Sequence, residues 1–140
     1  HKNKVGNIVL ENGQIVGQDQ GLTKYTIGQR KGLGISYQEP LYVLALNQEK
    51  NEVIVGKEKE LYHKQLYAKN VNWMVPQEPK KTIQCKAKIR YRAKEADCIV
   101  SQEADKTKVE FKEEQRAITP GQSIVFYDTD GIVLGGGKIL

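Results

Sequence analysis

Strict alternation between apolar and polar residues from Ile83 to Tyr91 is the feature that most limits how this chain can fold. Successive side chains of a β-strand point to opposite faces of a sheet, so the alternation predicts a strand. One face is apolar: Ile83, Cys85, Ala87, Ile89 and Tyr91. The other is polar and mostly cationic: Gln84, Lys86, Lys88 and Arg90. We therefore expect a sheet that packs on one face and is cationic on the other.

Two hairpins are predicted before this strand. Residues 8–17 alternate around Asn12-Gly13, a pair that tolerates the positive φ angles of a two-residue type I′ turn. Residues 41–56 contain an alternating segment, a polar turn and a β-branched return strand. Between the hairpins, residues 21–35 are rich in glycine and cations and predict a loop with one helical turn.

The remaining segments mostly continue the β pattern. Residues 57–65 have the composition of a short helix, residues 66–74 look extended, and Pro76 to Pro79 breaks whatever precedes it. Further short strands are predicted at 98–100, 108–111, 123–127 and 132–134. Strands at this spacing, without long helices between them, favour a mostly β fold with a small antiparallel barrel or sandwich.

Charge and hydropathy narrow the class of protein. The formal net charge is +5 and the pI is near 9.1, which suits a polyanionic partner such as RNA. Many proteins with the same balance bind nothing anionic. A mean hydropathy of -0.58 is typical of soluble globular proteins. No apolar run approaches the ~20 residues of a spanning helix, so we expect no membrane association.

The sequence contains no recognisable active site of its own. Cys85 and Cys98 have no second cysteine pair and no histidine at ligand spacing, so no zinc or other metal site is predicted. We interpret them as reduced, partly buried thiols of a cytosolic protein. No Ser/His/Asp or Cys/His arrangement appears either, so no catalytic residue is assigned.

The cationic face of the predicted strand is the first candidate binding surface. Lys86, Lys88 and Arg90 would lie about 6 to 7 Å apart, a separation comparable to that of phosphates along a nucleic-acid strand. Arg90 could hold a phosphate through two parallel hydrogen bonds, and Tyr91 beside it could stack on an unpaired base. A solvated sheet face without any ligand is the competing interpretation.

Residues 25–35, YTIGQRKGLGI, form the second candidate surface. Three glycines would let the backbone approach another surface closely, and Arg30 and Lys31 offer adjacent cations for phosphate. The segment lacks both the Gly-Lys-Ser/Thr ending of a P-loop and the dinucleotide fingerprint, so nucleotide binding is not predicted. An RNA contact and an ordinary solvated loop both remain open.

Five segments together resemble the bacterial tRNA-specific 2-thiouridylase family, once labelled tRNA methyltransferase. They follow the family's order: YTIGQRKGLGI at 25–35, KIRYR at 88–92, QRAITPGQ at 115–122, VFYD at 125–128 and LGGGKI at 134–139. The resemblance implies a small central β-rich domain at 1–67. It also implies a C-terminal six-stranded antiparallel β-barrel at 68–140, similar to a translation-factor barrel domain.

The same resemblance implies a function. Enzymes of this family activate uridine 34 of certain tRNAs with ATP and replace its C2 oxygen with sulfur delivered as a cysteine persulfide. Their N-terminal ATP-pyrophosphatase domain carries a Ser-Gly-Gly-x-Asp-Ser loop and two catalytic cysteines, none of which matches this sequence. We therefore interpret the chain as a fragment without turnover of its own. No cofactor is expected in it, and ATP belongs to the parent enzyme.

In such enzymes the barrel contacts tRNA, and the matching positions here are Arg90, Tyr91 and Gln122. We predict a cytoplasmic appendage that binds the anticodon region of tRNA for the missing ATP-pyrophosphatase domain. Further predicted RNA contacts are Lys86, Lys88, Arg30 and Lys31. The alternative is a protein-interaction module that docks a sulfur-relay donor or the catalytic domain. The cationic strand face distinguishes the two hypotheses, because RNA binding needs cations on the surface and a protein interface does not.

Overall fold

The computed structural model describes residues 5–74 and 82–140. Strands dominate these residues, which confirms the mostly β class. Two compact units divide between Tyr62 and His63. The sequence suggested a boundary after residue 67. One long strand begins at Tyr62, so residues 63–67 belong to the second unit.

The first unit contains a four-stranded mixed sheet. Its strands are β1 (Asn7–Leu10), β2 (Ile15–Gln18), β3 (Tyr42–Asn47) and β4 (Glu52–Gly56). They lie in the order β2-β1-β4-β3. The pairs β1–β2 and β3–β4 are antiparallel, which confirms both predicted hairpins, whereas β1 and β4 run parallel. The parallel pairing joins the two hairpins into one sheet.

The strands of this unit share a core with the loop that follows β2. Four strand residues are completely buried: Ile8, Val43, Val53 and Val55. Tyr25, Leu33 and Leu41 belong to the same cluster. The loop also contains the predicted helical turn, a 3-10 turn at Leu22–Lys24. Apolar side chains of residues 25–35 therefore pack in the core and hold this segment in place.

The first hairpin turns over three residues rather than two. The N–H of Gly13 donates to the carbonyl of Leu10 (2.8 Å), and the N–H of Leu10 donates to the carbonyl of Gln14 (2.9 Å). Residues 11–13 form the loop, and Gly13 has φ +93°. The predicted two-residue type I′ turn is wrong, because a three-residue loop ending in a positive-φ glycine also matches the twist of the strands.

The second unit is a closed barrel of six strands. They are β5 (Tyr62–Trp73), β6 (Ile83–Lys88), β7 (Ala96–Glu103), β8 (Lys106–Arg116), β9 (Ser123–Tyr127) and β10 (Val133–Ile139). Around the barrel their order is β10-β5-β8-β7-β6-β9, with antiparallel neighbours. The expected six-stranded antiparallel barrel is confirmed.

Alternate side chains of these strands fill the barrel. Cys85, Ala87 and Ile89 are buried, as predicted for the apolar face of β6, and Trp73 stacks on Phe126 with ring centroids 5.2 Å apart. Strand β10 is rich in glycine because it runs close to β5. A Cβ atom on Gly137 would lie 2.7 Å from the carbonyl oxygen of Lys69.

The predicted helix at 57–65 is correct only in its first half. Glu58–Leu61 form a 3-10 turn, and β5 begins at Tyr62. Pairing within the barrel overrides the helix-forming composition of the following residues. The Pro76 to Pro79 break lies outside the described residues. Across 5–74 and 82–140, no helix has the length and apolar character needed to cross a membrane.

Candidate nucleic-acid interface

Strand β6 ends sooner than its alternation suggests. Its last pairs are Ala87 with Ala96 on β7 and Lys88 with Val125 on β9. The chain must reverse direction before β7 begins, so residues 89–95 form a connection, the β6–β7 loop. The prediction that Arg90 and Tyr91 belong to the strand is therefore wrong, because both lie in this loop.

Tyr91 is 92% exposed. The N–H of Ala93 donates to the carbonyl of Arg90 (3.0 Å) and closes a tight turn around Tyr91 and Arg92. Alternation placed Tyr91 on the apolar face of the strand, but it lies exposed in the turn, and its suitability for stacking stays a prediction. Arg92 is exposed as well and becomes a further candidate, which sequence reasoning did not name. Its place next to an exposed tyrosine in a turn is the reason to consider it.

Arg90 holds the backbone of a distant segment. Its Nη2 donates to the carbonyl oxygens of Arg116 and Ala117, the latter at 2.9 Å. Ala117 has φ +58°, a left-handed conformation that costs a residue with a Cβ roughly 1 to 2 kcal/mol. The guanidinium therefore secures a strained part of the connection between β8 and β9. Alternation could not reveal this, because the partners are 26 and 27 residues away.

Gln122 lies at the other end of the same connection, the β8–β9 segment (residues 117–122). Thr119 Oγ1 donates to the carbonyl of Ala117 (2.9 Å), and the N–H of Gln122 donates to the carbonyl of Thr119 (3.2 Å). The backbone of Ile139 closes the segment through its N–H, which donates to the carbonyl of Gln122 (2.9 Å). This chain of contacts links Arg90 to Gln122, whose side chain is exposed.

Lys86 and Lys88 both extend from β6 but have different surroundings. Lys86 Nζ lies 3.7 Å from Asp97 Oδ1, in an ion pair that is partly exposed. Lys88 Nζ lies 5.7 Å from the centre of the Tyr127 ring, a cation–π distance. The predicted row of three cations on one strand is therefore reduced to two, and one of these has a carboxylate partner.

In the first unit, Arg30 and Lys31 are exposed on an ordered loop. The N–H of Gly28 donates to the carbonyl of Val43 (2.8 Å), and the N–H of Val43 donates to the carbonyl of Gln29 (2.9 Å). The Gln29 side chain accepts from the N–H of Thr26 and donates to the carbonyl of Lys31, both at 2.9 Å. The cations thus sit at a fixed place beside β3.

The described part of the chain contains no candidate metal site. Within residues 5–74 and 82–140, no group of three or more His, Cys, Asp or Glu side chains converges on one point. The charged groups of the β6–β7 loop, together with the polar groups of the β8–β9 segment, form the candidate interface.

Comparison with known proteins agrees with this division into two units. A family described as "tRNA methyl transferase PRC-barrel domain" matches residues 1–57, and one described as "Aminomethyltransferase beta-barrel domain" matches residues 63–139. The tRNA-specific 2-thiouridylase MnmA of Acetivibrio thermocellus is 47% identical over 97% of this chain and 38% of its own length. The enzyme of the same name from Symbiobacterium thermophilum is 49% identical over 96% of the chain and 34% of its own length.

The chain belongs to the tRNA-specific 2-thiouridylase family. It spans less than two-fifths of the length of these relatives. Of the five 2-thiouridylase motifs, four lie in the barrel unit. Two of them, at 88–92 and 115–122, contain Arg90 and its carbonyl partners, and the motif at 134–139 ends beside Gln122. These three motifs therefore meet at the candidate interface.

Proposed function

We propose that this chain binds the anticodon region of tRNA as part of a larger 2-thiouridylase. The observation that carries the proposal is the 92% exposure of Tyr91 between two arginines. An aromatic ring can stack on an unpaired base, and the neighbouring guanidinium groups suit the phosphates on either side of it. The base of uridine 34 lies in a single-stranded loop, the kind of RNA that proteins recognise in this way.

The surroundings of Tyr91 add polar contacts of the right kind. A guanidinium has five N–H donors, so the bonds from Arg90 to the backbone leave donors for a phosphate. The exposed amide of Gln122 can both donate and accept, as recognition of a base edge requires. Lys86 and Lys88 would extend the phosphate contacts along the barrel. Arg30 and Lys31 would supply further contacts from the first unit.

The activity of the whole enzyme is part of the same proposal. A further ATP-pyrophosphatase domain would bind ATP and activate the C2 position of the wobble uridine, and a cysteine persulfide would deliver the sulfur. The relatives named 2-thiouridylase support this assignment, because they are more than twice as long as this chain. The chain itself would hold the substrate, in the cytoplasm, where tRNA is modified.

Salt-dependent titration tests the proposal directly. The 140-residue chain is titrated with a labelled anticodon stem-loop at several salt concentrations, and a blunt-ended RNA duplex with the same number of nucleotides serves as the control. We expect affinity for the stem-loop to fall linearly with salt on logarithmic axes, and the paired control to bind more weakly. Absent binding at low salt, or affinity that does not respond to salt, would contradict tRNA binding.

A second candidate function is docking of a protein partner, and one observation favours it. Met74, Ile132 and Val133 are 69%, 59% and 39% exposed. The N–H of Met74 donates to the carbonyl of Leu134 (2.8 Å), which brings these apolar side chains to one end of the barrel. Exposed apolar residues that cluster in this way are typical of protein contacts. The sulfur donor and the catalytic domain are the candidate partners.

Ile132→Ser separates the two functions. The substitution removes apolar area from the cluster and leaves the β6–β7 loop unchanged. If a separately produced ATP-pyrophosphatase domain docks here, its affinity for the chain should fall while affinity for the anticodon stem-loop stays the same. Equal affinity of both variants for that domain would show that the apolar cluster is not its docking site.

A further inference from the structure

We propose that Cys85 and Cys98 form a modification site, a dithiol that a peroxide oxidises to a cross-strand disulfide inside the folded barrel. The two thiols are direct partners in the register of β6 and β7. Their sulfur atoms lie 3.8 Å apart, and both cysteines are free and buried. This chemistry is independent of tRNA binding.

The backbone already has the spacing that a disulfide needs. Directly opposed residues of an antiparallel pair have Cα atoms about 4.5 or 5.5 Å apart, depending on the hydrogen-bonding pattern. Both values fall within the range of about 4.4 to 6.8 Å that disulfides span. Rotation of the two side chains can therefore bring the sulfur atoms to bonding distance without separating β6 from β7.

The two thiols differ in the way that such a reaction requires. The hydrogen bond with Cys98 lowers the pKa of Cys85, although burial acts in the opposite direction. The same hydrogen bond, burial and the nearby Asp97 raise the pKa of Cys98. We assign the attack to Cys85, because a thiolate is the nucleophile in thiol oxidation and Asp97, next to Cys98, disfavours a thiolate there. Cys98 keeps its proton and stands next to Cys85 as the resolving thiol.

The burial of the two cysteines limits which oxidant can reach them. A cavity of about 560 Å³ lies over outward-facing residues of β6, β7 and β8, among them Lys86, Asp97 and Glu110, and adjoins Cys85 and Cys98. Each cysteine retains 5% exposure. Exposure this small excludes contact with a folded oxidoreductase, so the oxidant proposed here is a small peroxide.

The reaction balances in two steps. The Cys85 thiolate attacks one oxygen of hydrogen peroxide, the O–O bond breaks, and hydroxide leaves with a proton to become water, so that Cys85 becomes a sulfenic acid. Cys98 then loses its proton, and its sulfur displaces the sulfenic hydroxyl as a second water. Both electrons come from the sulfur pair, and the product is one S–S bond.

Mass spectrometry of the 140-residue chain tests this site. The folded chain is treated with hydrogen peroxide, the remaining thiols are alkylated, and the protein is digested without reductant. We expect both thiols to disappear together, one peptide pair joined through Cys85 and Cys98, and full recovery of both thiols with dithiothreitol. Persistence of the thiols at a peroxide dose that oxidises free glutathione, or sulfinic acid without the cross-link, would overturn the proposal.

Single variants identify the attacking thiol. In Cys98→Ala, Cys85 has no resolving partner, so a sulfenic acid that dimedone traps should accumulate at Cys85. In Cys85→Ala, the remaining Cys98 should react more slowly than Cys85 does in Cys98→Ala, because the neighbouring Asp97 disfavours a thiolate at Cys98. Circular dichroism checks that both variants are folded, and the wild-type cross-link stands as evidence even if either is not. Equal reactivity of both variants would overturn the assignment of Cys85 as the nucleophile.

Discussion

The two units each present cations on a loop, but they fix those loops in different ways. In the first unit, the neutral side chain of Gln29 and the backbone of β3 hold residues 25–35 in place. In the barrel, the charged side chain of Arg90 itself holds the β8–β9 segment. Arg30 can therefore change without loosening its loop, whereas Arg90 cannot. In the first unit, the cations and the side chain that holds the loop are different residues, whereas in the barrel Arg90 has both roles.

Arg90→Ala should have the largest effect, because it removes both roles at once. Loss of its charge-assisted bonds to two carbonyls should lower the free energy of unfolding by about 1.5 kcal/mol, the low end for such bonds because the side chain is partly exposed. Affinity for the anticodon stem-loop should fall roughly ten- to a hundredfold if Arg90 also binds a phosphate. Urea unfolding and anisotropy titration measure the two effects separately.

Thr119→Val is the matched control for Arg90→Ala. It removes the hydroxyl that bonds to the carbonyl of Ala117, which also accepts from Arg90, and it leaves the charge unchanged. If Arg90 acts only by holding the segment, Thr119→Val should weaken RNA binding in proportion to its loss of stability. If Arg90 contacts phosphate, Thr119→Val should retain most of the affinity. Arg90→Lys should then recover only part of it, because an ammonium lacks the planar fork.

Tyr91→Ala should affect binding alone. The side chain is 92% exposed, so we expect the free energy of unfolding to change by no more than about 0.5 kcal/mol. Loss of stacking on a base should cost about 1 to 3 kcal/mol in affinity, and Tyr91→Phe should retain most of it. Equal affinity for Tyr91→Ala and the wild type, measured by the same titration, would remove Tyr91 from the interface.

In the loop of the first unit, unlike at Arg90, substitutions can remove the charge and the hydrogen bonds that hold the loop one at a time. Changing both Arg30 and Lys31 to alanine should leave stability nearly unchanged. The slope of affinity against salt should fall by about 0.7 to 0.9 for each phosphate that the loop no longer binds. Gln29→Ala keeps both charges and removes two side-chain hydrogen bonds, at about 0.5 to 1.5 kcal/mol each. If Gln29→Ala changes the salt slope and the charge variant does not, this loop makes no phosphate contact.

Much of the fold could be predicted because local patterns decide it. Alternation identified β6 and its buried Cys85 and Ala87, and turn residues separated the later strands. The end of β6 could not be predicted from alternation, since it depends on where β7 returns to pair with Ala87. Helix-forming composition failed after Tyr62 for the same reason, because a partner strand distant in sequence determined the outcome.

The candidate site was harder to predict than the fold. Motif resemblance named Arg90, Tyr91 and Gln122, but the carbonyls of Arg116 and Ala117 that Arg90 binds belong to no pattern of side chains. The carboxylate beside Lys86 also comes from the opposing strand. The sequence alone shows which residues are charged, but not which groups they pair with in the fold. Cross-strand register, which brings Asp97 opposite Lys86, was therefore the missing information.

Lys86→Ala should have the smallest effect and decides whether β6 contributes a cationic face. The side chains of Lys86 and Asp97 are 36% and 59% exposed. Loss of their ion pair should therefore change the free energy of unfolding by less than about 1 kcal/mol. Asp97→Asn is the complementary variant, because it frees the same lysine from its carboxylate. If the face contacts phosphates, Lys86→Ala should weaken affinity at low salt by roughly two- to threefold, and Asp97→Asn should strengthen it by a similar factor. Both shifts should disappear at high salt. If neither variant moves the affinity while Tyr91→Ala does, RNA meets the barrel only at the β6–β7 loop, and the lysines of β6 form a solvated face.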